Sequence, residues 1–117
     1  MWKSIDSRND LPSIGDPETL YLDFKAAPTD SAFEIGKDVA AMANASGGTL
    51  LVGAAEASGG RLKQYVPLKD AAATEKFYEN VIRDRCRPRP TVTLNIVECD
   101  DSGGAVLAVN VQPFPGQ

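Results

Sequence analysis

Residues 49–55, Thr49-Leu50-Leu51-Val52-Gly53-Ala54-Ala55, form a run with no alternation of polar and apolar side chains. A strand with one wet face alternates with period two, whereas a strand covered on both faces does not. The run therefore reads as a central strand with protein on either side. It follows directly on Asn44-Ala45-Ser46-Gly47-Gly48, and glycine takes the left-handed conformation that ends a helix without steric cost. A helix, a glycine stop and a buried strand in that order imply a sheet with helices packed on it. Glu18, Asp23, Lys25 and Glu56 bracket this region. Charged groups crowding around so apolar an element need a reason.

The rest of the chain extends the pattern. Residues 1–17, with Pro12 and Pro17 among Asp, Ser and Asn, read as an irregular lead-in that Ile5, Leu11 and Ile14 would pin to the body. From Thr19 the residues alternate: Leu20, Leu22 and Phe24 take one face, and Tyr21, Asp23 and Lys25 the other, as in a half-buried strand. Pro28 ends it. Ser31 and Glu34 have capping-box spacing, and Ile35, Val39, Met42 and Ala43 recur at helical spacing, which predicts a helix over 31–45. Ser58-Gly59-Gly60 marks a turn, and residues 61–66 return as a strand beside the central one.

Asp70 is placed to cap a second helix, with Thr74, Phe77, Tyr78, Val81 and Ile82 as its buried stripe and Pro88 and Pro90 as its stop. Residues 91–99 and 105–111 alternate and are joined by Asp100-Asp101-Ser102-Gly103-Gly104, a hairpin. Residues 113–117, rich in proline and glycine, read as the start of a linker. The expected architecture is a single α/β (α+β) domain over 1–117, with a mixed sheet of about five to six strands packed with two main helices.

Composition narrows the chemistry. At 117 residues there is one core, and no apolar run approaches the about 20 residues of a membrane span. The polar, mixed-charge start is unlike a secretion signal, so a cytoplasmic location and no membrane partner are expected. The chain has no histidine, and its two cysteines, Cys86 and Cys99, lack C-x-x-C spacing. Histidine-based catalysis is excluded, a zinc site lacks ligands, and any bound metal would sit among carboxylates that suit Mg²⁺, Mn²⁺ or Ca²⁺. The net charge of −4 argues against a broadly basic nucleic-acid binder, yet four of the six arginines, Arg83, Arg85, Arg87 and Arg89, fall in one short segment.

Each candidate group has a plain and a chemical reading. Asp23 and Lys25, two apart on a strand, leave from the same face. They form either an exposed ion pair or a carboxylate that holds a cation beside an ammonium that orients water. Glu18 lies five residues before Asp23, so it shares that face only from the bend after Pro17 or through a bulge; otherwise it is a solvated loop acid. Glu56 closes the apolar strand, where ligands gather in α/β sheets, or is simply a turn residue. Asn44 and Gly47-Gly48 present amides to an anion or merely stop the helix. The four arginines complement the negative end of a helix or contact phosphate.

Taken together, Glu18, Asp23-Phe24-Lys25 and Ala43-Asn44-Ala45-Ser46-Gly47-Gly48-Thr49-Leu50-Leu51-Val52-Gly53 resemble the Schlafen-type AlbA domain family. That family shows an acid, then E-F-K, then A-x-A-N-x-x-G-G-x-L-x-x-G-V and an acidic turn. The resemblance spans residues 14–116. It implies an α/β domain of prokaryotic regulators and of vertebrate Schlafen proteins, associated with nucleic-acid binding. In some Schlafen members it implies metal-dependent cleavage of structured RNA by three carboxylates. Carried over by motif, those carboxylates would be Glu18, Asp23 and Glu56, with Lys25 as their neighbour and Mg²⁺ or Mn²⁺ as the metal. Two departures stand out: Asp23 replaces the usual Glu, and Ala54-Ala55 replaces the usual valine and acid. No G-x-x-x-x-G-K loop is present to support ATP.

Three functions stay open at this level. The first is a nucleic-acid-binding module of a longer regulatory or defence protein, using Lys25, Arg83, Arg85, Arg87 and Arg89. The second is a metal-dependent nuclease with Glu18, Asp23, Lys25 and Glu56 as its catalytic set. The third is an interaction or homodimerisation domain without nucleic acid, which the acidic balance suits.

Overall fold

A computed structural model describes residues 2–116. Its elements run β1 (Leu22–Lys25), α1 (Ala32–Asn44), β2 (Gly48–Val52), β3 (Ala54–Glu56), β4 (Leu62–Tyr65), α2 (Ala71–Arg85), β5 (Val92–Glu98) and β6 (Ala105–Val111). Six strands and two helices match the expected content, but the strands divide between two sheets. A four-stranded mixed sheet has the order β1-β2-β6-β5, and β3 pairs only with β4. β1 runs parallel to β2, while β6 is antiparallel to both β2 and β5.

The one core expected from the chain's length is divided by the main sheet into two apolar clusters, one on each face. Leu50 and Val52 of β2, with Leu107, Val109 and Val111 of β6, pack against Ile35, Val39 and Ala43 of α1 and Tyr78, Val81 and Ile82 of α2. The opposite face, with Phe24, Leu51, Val106 and Ala108, is closed by Ile5 of the lead-in and Leu62 of β4. All five residues of β2 are buried, which is why the run shows no period-two contrast.

The expected seven-residue central strand is in fact broken at Gly53. That residue has φ +106°, and a Cβ there would meet Val106 Cγ1 at 2.7 Å and Val66 O at 2.9 Å. Only glycine allows the chain to turn out of the main sheet this tightly. Residues 54–56 therefore leave the first sheet, and β4 pairs with β3 rather than with the central strand.

Helix boundaries follow the caps. The Ser31 hydroxyl accepts from Glu34 N at 3.2 Å, but the reciprocal half of the capping box is absent among the described hydrogen bonds. Instead Ser31 N donates to Thr29 Oγ1 at 3.1 Å, and that hydroxyl lies 3.4 Å from Glu34 Oε2. Gly47, at φ +82°, donates its N–H to Met42 O at 2.9 Å and ends α1. Asp70 caps α2 by accepting from Ala73 N at 3.0 Å. Of the predicted α2 stripe, Tyr78, Val81 and Ile82 are buried while Phe77 stays 39% exposed.

The lead-in is more ordered than its composition suggests. Asn110, 1% exposed, accepts from Ile5 N at 2.8 Å and from the Thr49 hydroxyl at 2.7 Å, and its amide donates to Ile5 O at 2.9 Å. Buried polar groups demand such partners. Gly15 N and Leu62 O pair at 2.7 Å, and Pro17 bridges Arg61. Of the three proposed pins, Ile5 is buried and Leu11 packs beside it, but Ile14 is 61% exposed. At the other end Phe114 packs on the helix-side core and its N–H donates to Ala43 O. Residues 113–114 are therefore part of the packed body.

Candidate functional site

On β1 the alternation holds from Leu22 to Lys25: Leu22 and Phe24 pack into the core remote from the helices. Asp23 and Lys25 lie opposite Leu50 and Val52 in register, and so face the helix layer at the sheet's edge. Leu20 lies outside the strand, 88% exposed on a tight turn closed by the Thr19–Leu22 bridge. The polar pair thus meets α1. Lys25 Nζ stands 3.3 Å from Asp23 Oδ2 and 3.3 Å from Asp38 Oδ2, so one ammonium bridges two carboxylates.

Asp38 was not among the expected site residues. Its only trace in the sequence is an acid lying directly beside Val39 of the buried α1 stripe. Burial pulls the Lys25 ammonium down, but Asp23 and Asp38 outweigh it and hold Lys25 above its ordinary value.

Glu18 reaches this rim from the bend after Pro17, as its spacing requires. Its N–H donates to Gly60 O at 2.9 Å, and its Oε2 accepts from Phe24 N at 2.7 Å. Burial and the hydrogen bond with Glu18 push the Asp23 carboxyl above its ordinary value, against the opposing pull of Lys25. Glu56, at the end of β3, lies across the Gly60 turn. A Cβ on Gly60 would stand 3.4 Å from Glu18 Oε1 and 4.0 Å from Glu56 Oε2. Glu18 therefore lies between Asp23 on one side and Glu56 on the other.

The residues fit a three-carboxylate metal site poorly. No three carboxylates among the described residues converge closely enough to hold a metal ion. One Glu18 oxygen is committed to the Phe24 amide, and the Lys25 ammonium already supplies positive charge to Asp23.

The arginines form a separate cluster. All four are exposed, while Cys86 and Pro90 between and beside them are buried. Arg87 Nη1 donates to Arg83 O at 2.8 Å and Cys86 O at 2.9 Å, satisfying carbonyls left open at the end of α2. Arg83 pairs with Asp84 at 3.0 Å. Arg85 and Arg89 form no ion pair among the described residues. Arg89 lies with Arg83, Val92 and Leu94 along a groove between α2 and β5. Because β1 and β5 are opposite edges of the sheet, Lys25 is not brought to the arginines, and the expected phosphate-binding set splits in two.

An α+β domain with a mixed sheet, two helices on one face and a charged rim at the β1 edge is the class this geometry defines. The chain belongs to the Schlafen, AlbA_2 family, whose model matches residues 18–117. No curated protein matches it. Among solved structures it is similar to the N-terminal domain of an ATP-dependent DNA helicase RecG-related protein from Nitrosomonas europaea. The TM-score is 0.59 at 23% identity, covering 82% of this chain and 65% of that one. The likeness is one of fold, and this chain spans less than two thirds of that structure. Among the described residues no helix is long and apolar enough to cross a membrane.

Proposed function

We propose that the domain binds nucleic acid through phosphate contacts made by the arginines at the end of α2, as a module of a longer cytoplasmic regulatory or defence protein. The observation that carries the reading is four exposed guanidinium groups within seven residues, of which only Arg83 has a carboxylate partner among the described residues. Family membership supports it. Guanidinium matches phosphate in bidentate geometry, and a local basic patch acts even on an acidic chain. Arg85 and Arg89 carry the binding, and Arg87 serves the helix end. The rim of Glu18, Asp23 and Glu56 repels phosphate, which directs the polyanion to the opposite sheet edge.

The test is a binding titration with single- and double-stranded DNA and RNA at several salt concentrations. Affinity should fall steeply with salt, and the double variant Arg85→Ala/Arg89→Ala should reduce the slope of log K against log salt by about 2. A flat salt response, or a double variant that binds as the parent does, would overturn the reading. Adding Mn²⁺ to the same samples addresses cleavage by Glu18, Asp23 and Glu56. That reading has less support, because the three acids do not gather around one point. It would be revived by cleavage that chelation and Asp23→Ala both abolish.

A further inference from the structure

An edge strand presents a row of unpaired backbone N–H and C=O groups unless something covers it. In the main sheet β1 and β5 are the two edges, and in the small sheet β4 pairs only with β3. Two of these edges are answered from within the chain. The Leu22 N–H and C=O both pair with Thr19, at 3.4 and 3.1 Å, and the Phe24 N–H is taken by Glu18. On β4, Leu62 donates to Asp16 O at 2.8 Å and accepts from Gly15 N at 2.7 Å. Among the described residues β5 has no such cover.

The register shows which groups β5 leaves open. Gln112 N donates to Thr91 O at 3.0 Å and Cys99 N to Gly104 O at 2.8 Å, and the pairing between them runs without a shift. Bonded and non-bonded pairs alternate in an antiparallel ladder, so Thr93, Asn95 and Val97 direct their backbone groups to β6. Those of Val92, Leu94, Ile96 and Glu98 point outward, and none of the described hydrogen bonds uses them. The strand also lacks the devices that usually protect an edge. It has no bulge, proline or lysine over its seven residues, and its one charge is Glu98 at the end.

The side chains indicate what pairs there. Val92, Leu94, Ile96 and Glu98 share the face toward the helix layer. Val92 and Leu94 pack on the helix-side core and, with Arg83 and Arg89, line a groove of about 260 Å³ between α2 and β5. Ile96 remains 42% exposed. Along the chain this face runs from basic through apolar to acidic, and such a face complements itself when turned end for end.

We infer that β5 pairs with β5 of a second copy, antiparallel about a two-fold axis at Asn95, joining the two main sheets into one. Leu94 of each copy then lies opposite Ile96 of the other, and Val92 opposite Glu98. Every outward N–H and C=O gains a partner, the exposed Ile96 is covered, and Glu98 reaches the arginine end of the other copy's groove. On the opposite face Asn95 meets its own counterpart, and each Asn95 amide holds Asp6 at 3.0 Å. That like-charge approach keeps the association reversible. The inference goes beyond the nucleic-acid reading and does not rest on it, since the pairing uses backbone groups of β5 and its test contains no nucleic acid.

Sedimentation velocity of the full chain, from about 1 µM to about 1 mM, should show a monomer passing to a dimer. Amide hydrogen exchange at the two ends of that series should show Val92, Leu94, Ile96 and Glu98 slowing at least about tenfold in the dimer, while Thr93, Asn95 and Val97 stay slow throughout. The alternation separates edge pairing from contact through another surface. Ile96→Pro removes an outward N–H that β6 does not use, at a position where an edge strand accepts proline, and should leave a folded monomer at every concentration. Should Ile96→Pro fail to fold, Ile96→Lys at the same exposed position carries the prediction, with circular dichroism checking the fold. A monomer throughout, which is also the outcome if the edge takes a strand from a different protein, would overturn the inference. So would a dimer that persists in the folded variant, or one whose protection shows no alternation along β5.

Discussion

The Glu18 carboxylate accepts a 2.7 Å hydrogen bond from the amide of Phe24, six residues further along the chain. Phe24 is 4% exposed and sits on an edge strand, so this bond supplies a partner to an amide that has little water to turn to. Glu18 is thereby a structural tie as well as a charge at the rim.

Glu18→Ala should therefore destabilise the fold by about 1–3 kcal/mol, the usual cost of leaving a buried donor unpaired. Glu18→Gln keeps an acceptor of the same reach and should cost under about 1 kcal/mol. Urea unfolding of the two variants checks this. Equal losses would show that the Phe24 amide does not depend on Glu18.

Asp23 titrates above the ordinary carboxylate value in the folded state, because of burial and its bond with Glu18. A raised folded value means the folded state holds the proton more tightly than the unfolded one. This group's contribution thus favours folding at low pH and is lost as pH rises through the raised midpoint. Asp10 has the opposite sign: the Asp6 and Ser7 amides lower it, so its stabilisation is present above pH about 3.8 and is lost as pH falls through its depressed value. Carboxyl-carbon NMR titration should find Asp23 above and Asp10 below the ordinary value, with Glu18→Gln moving the Asp23 midpoint down.

Arg87→Ala should lower thermal stability by about 1 kcal/mol while changing nucleic-acid affinity less than Arg85→Ala or Arg89→Ala does. The reason is that its guanidinium is spent on the Arg83 and Cys86 carbonyls. Melting and binding curves on the same samples separate the two roles. A variant that melts as the parent does but loses affinity would place Arg87 among the phosphate contacts.

Asn110→Ala should cost about 3 kcal/mol, since it leaves the Ile5 amide and the Thr49 hydroxyl proton without their buried acceptor, while the Ile5 carbonyl keeps only Asn95 Nδ2 at 3.0 Å. Hydrogen exchange at the Ile5 amide should accelerate more than exchange within β2. Uniform acceleration across the chain would mean that Asn110 supports the whole sheet and has no special role in fixing the lead-in.

Gly53→Ala should destabilise by about 2–4 kcal/mol, because the position combines φ +106° with contacts under 3 Å for any Cβ. A near-neutral result in chemical denaturation would mean that Val106 and Val66 yield easily.

Local signals were legible in the chain. The Ser31 and Asp70 caps, the glycine stop at Gly47, the hairpin around Asp100 and the pairing of Asp23 with Lys25 on one strand face each depend on residues a few positions apart. So did the need for Glu18 to lie in a bend. Three features belong to the tertiary structure alone. The apolar run is split at Gly53 because Val106 and Val66, far away in the chain, leave no room for a Cβ there. Asp38 joins the site because α1 packs over the β1 edge and delivers a second carboxylate to Lys25. The sheet order sends the arginines and Lys25 to opposite edges. Hydrophobic periodicity and caps are properties of neighbours along the chain, and a sequence carries them directly. Which charges meet depends on strand order and helix docking, and those follow from the packing of the whole core.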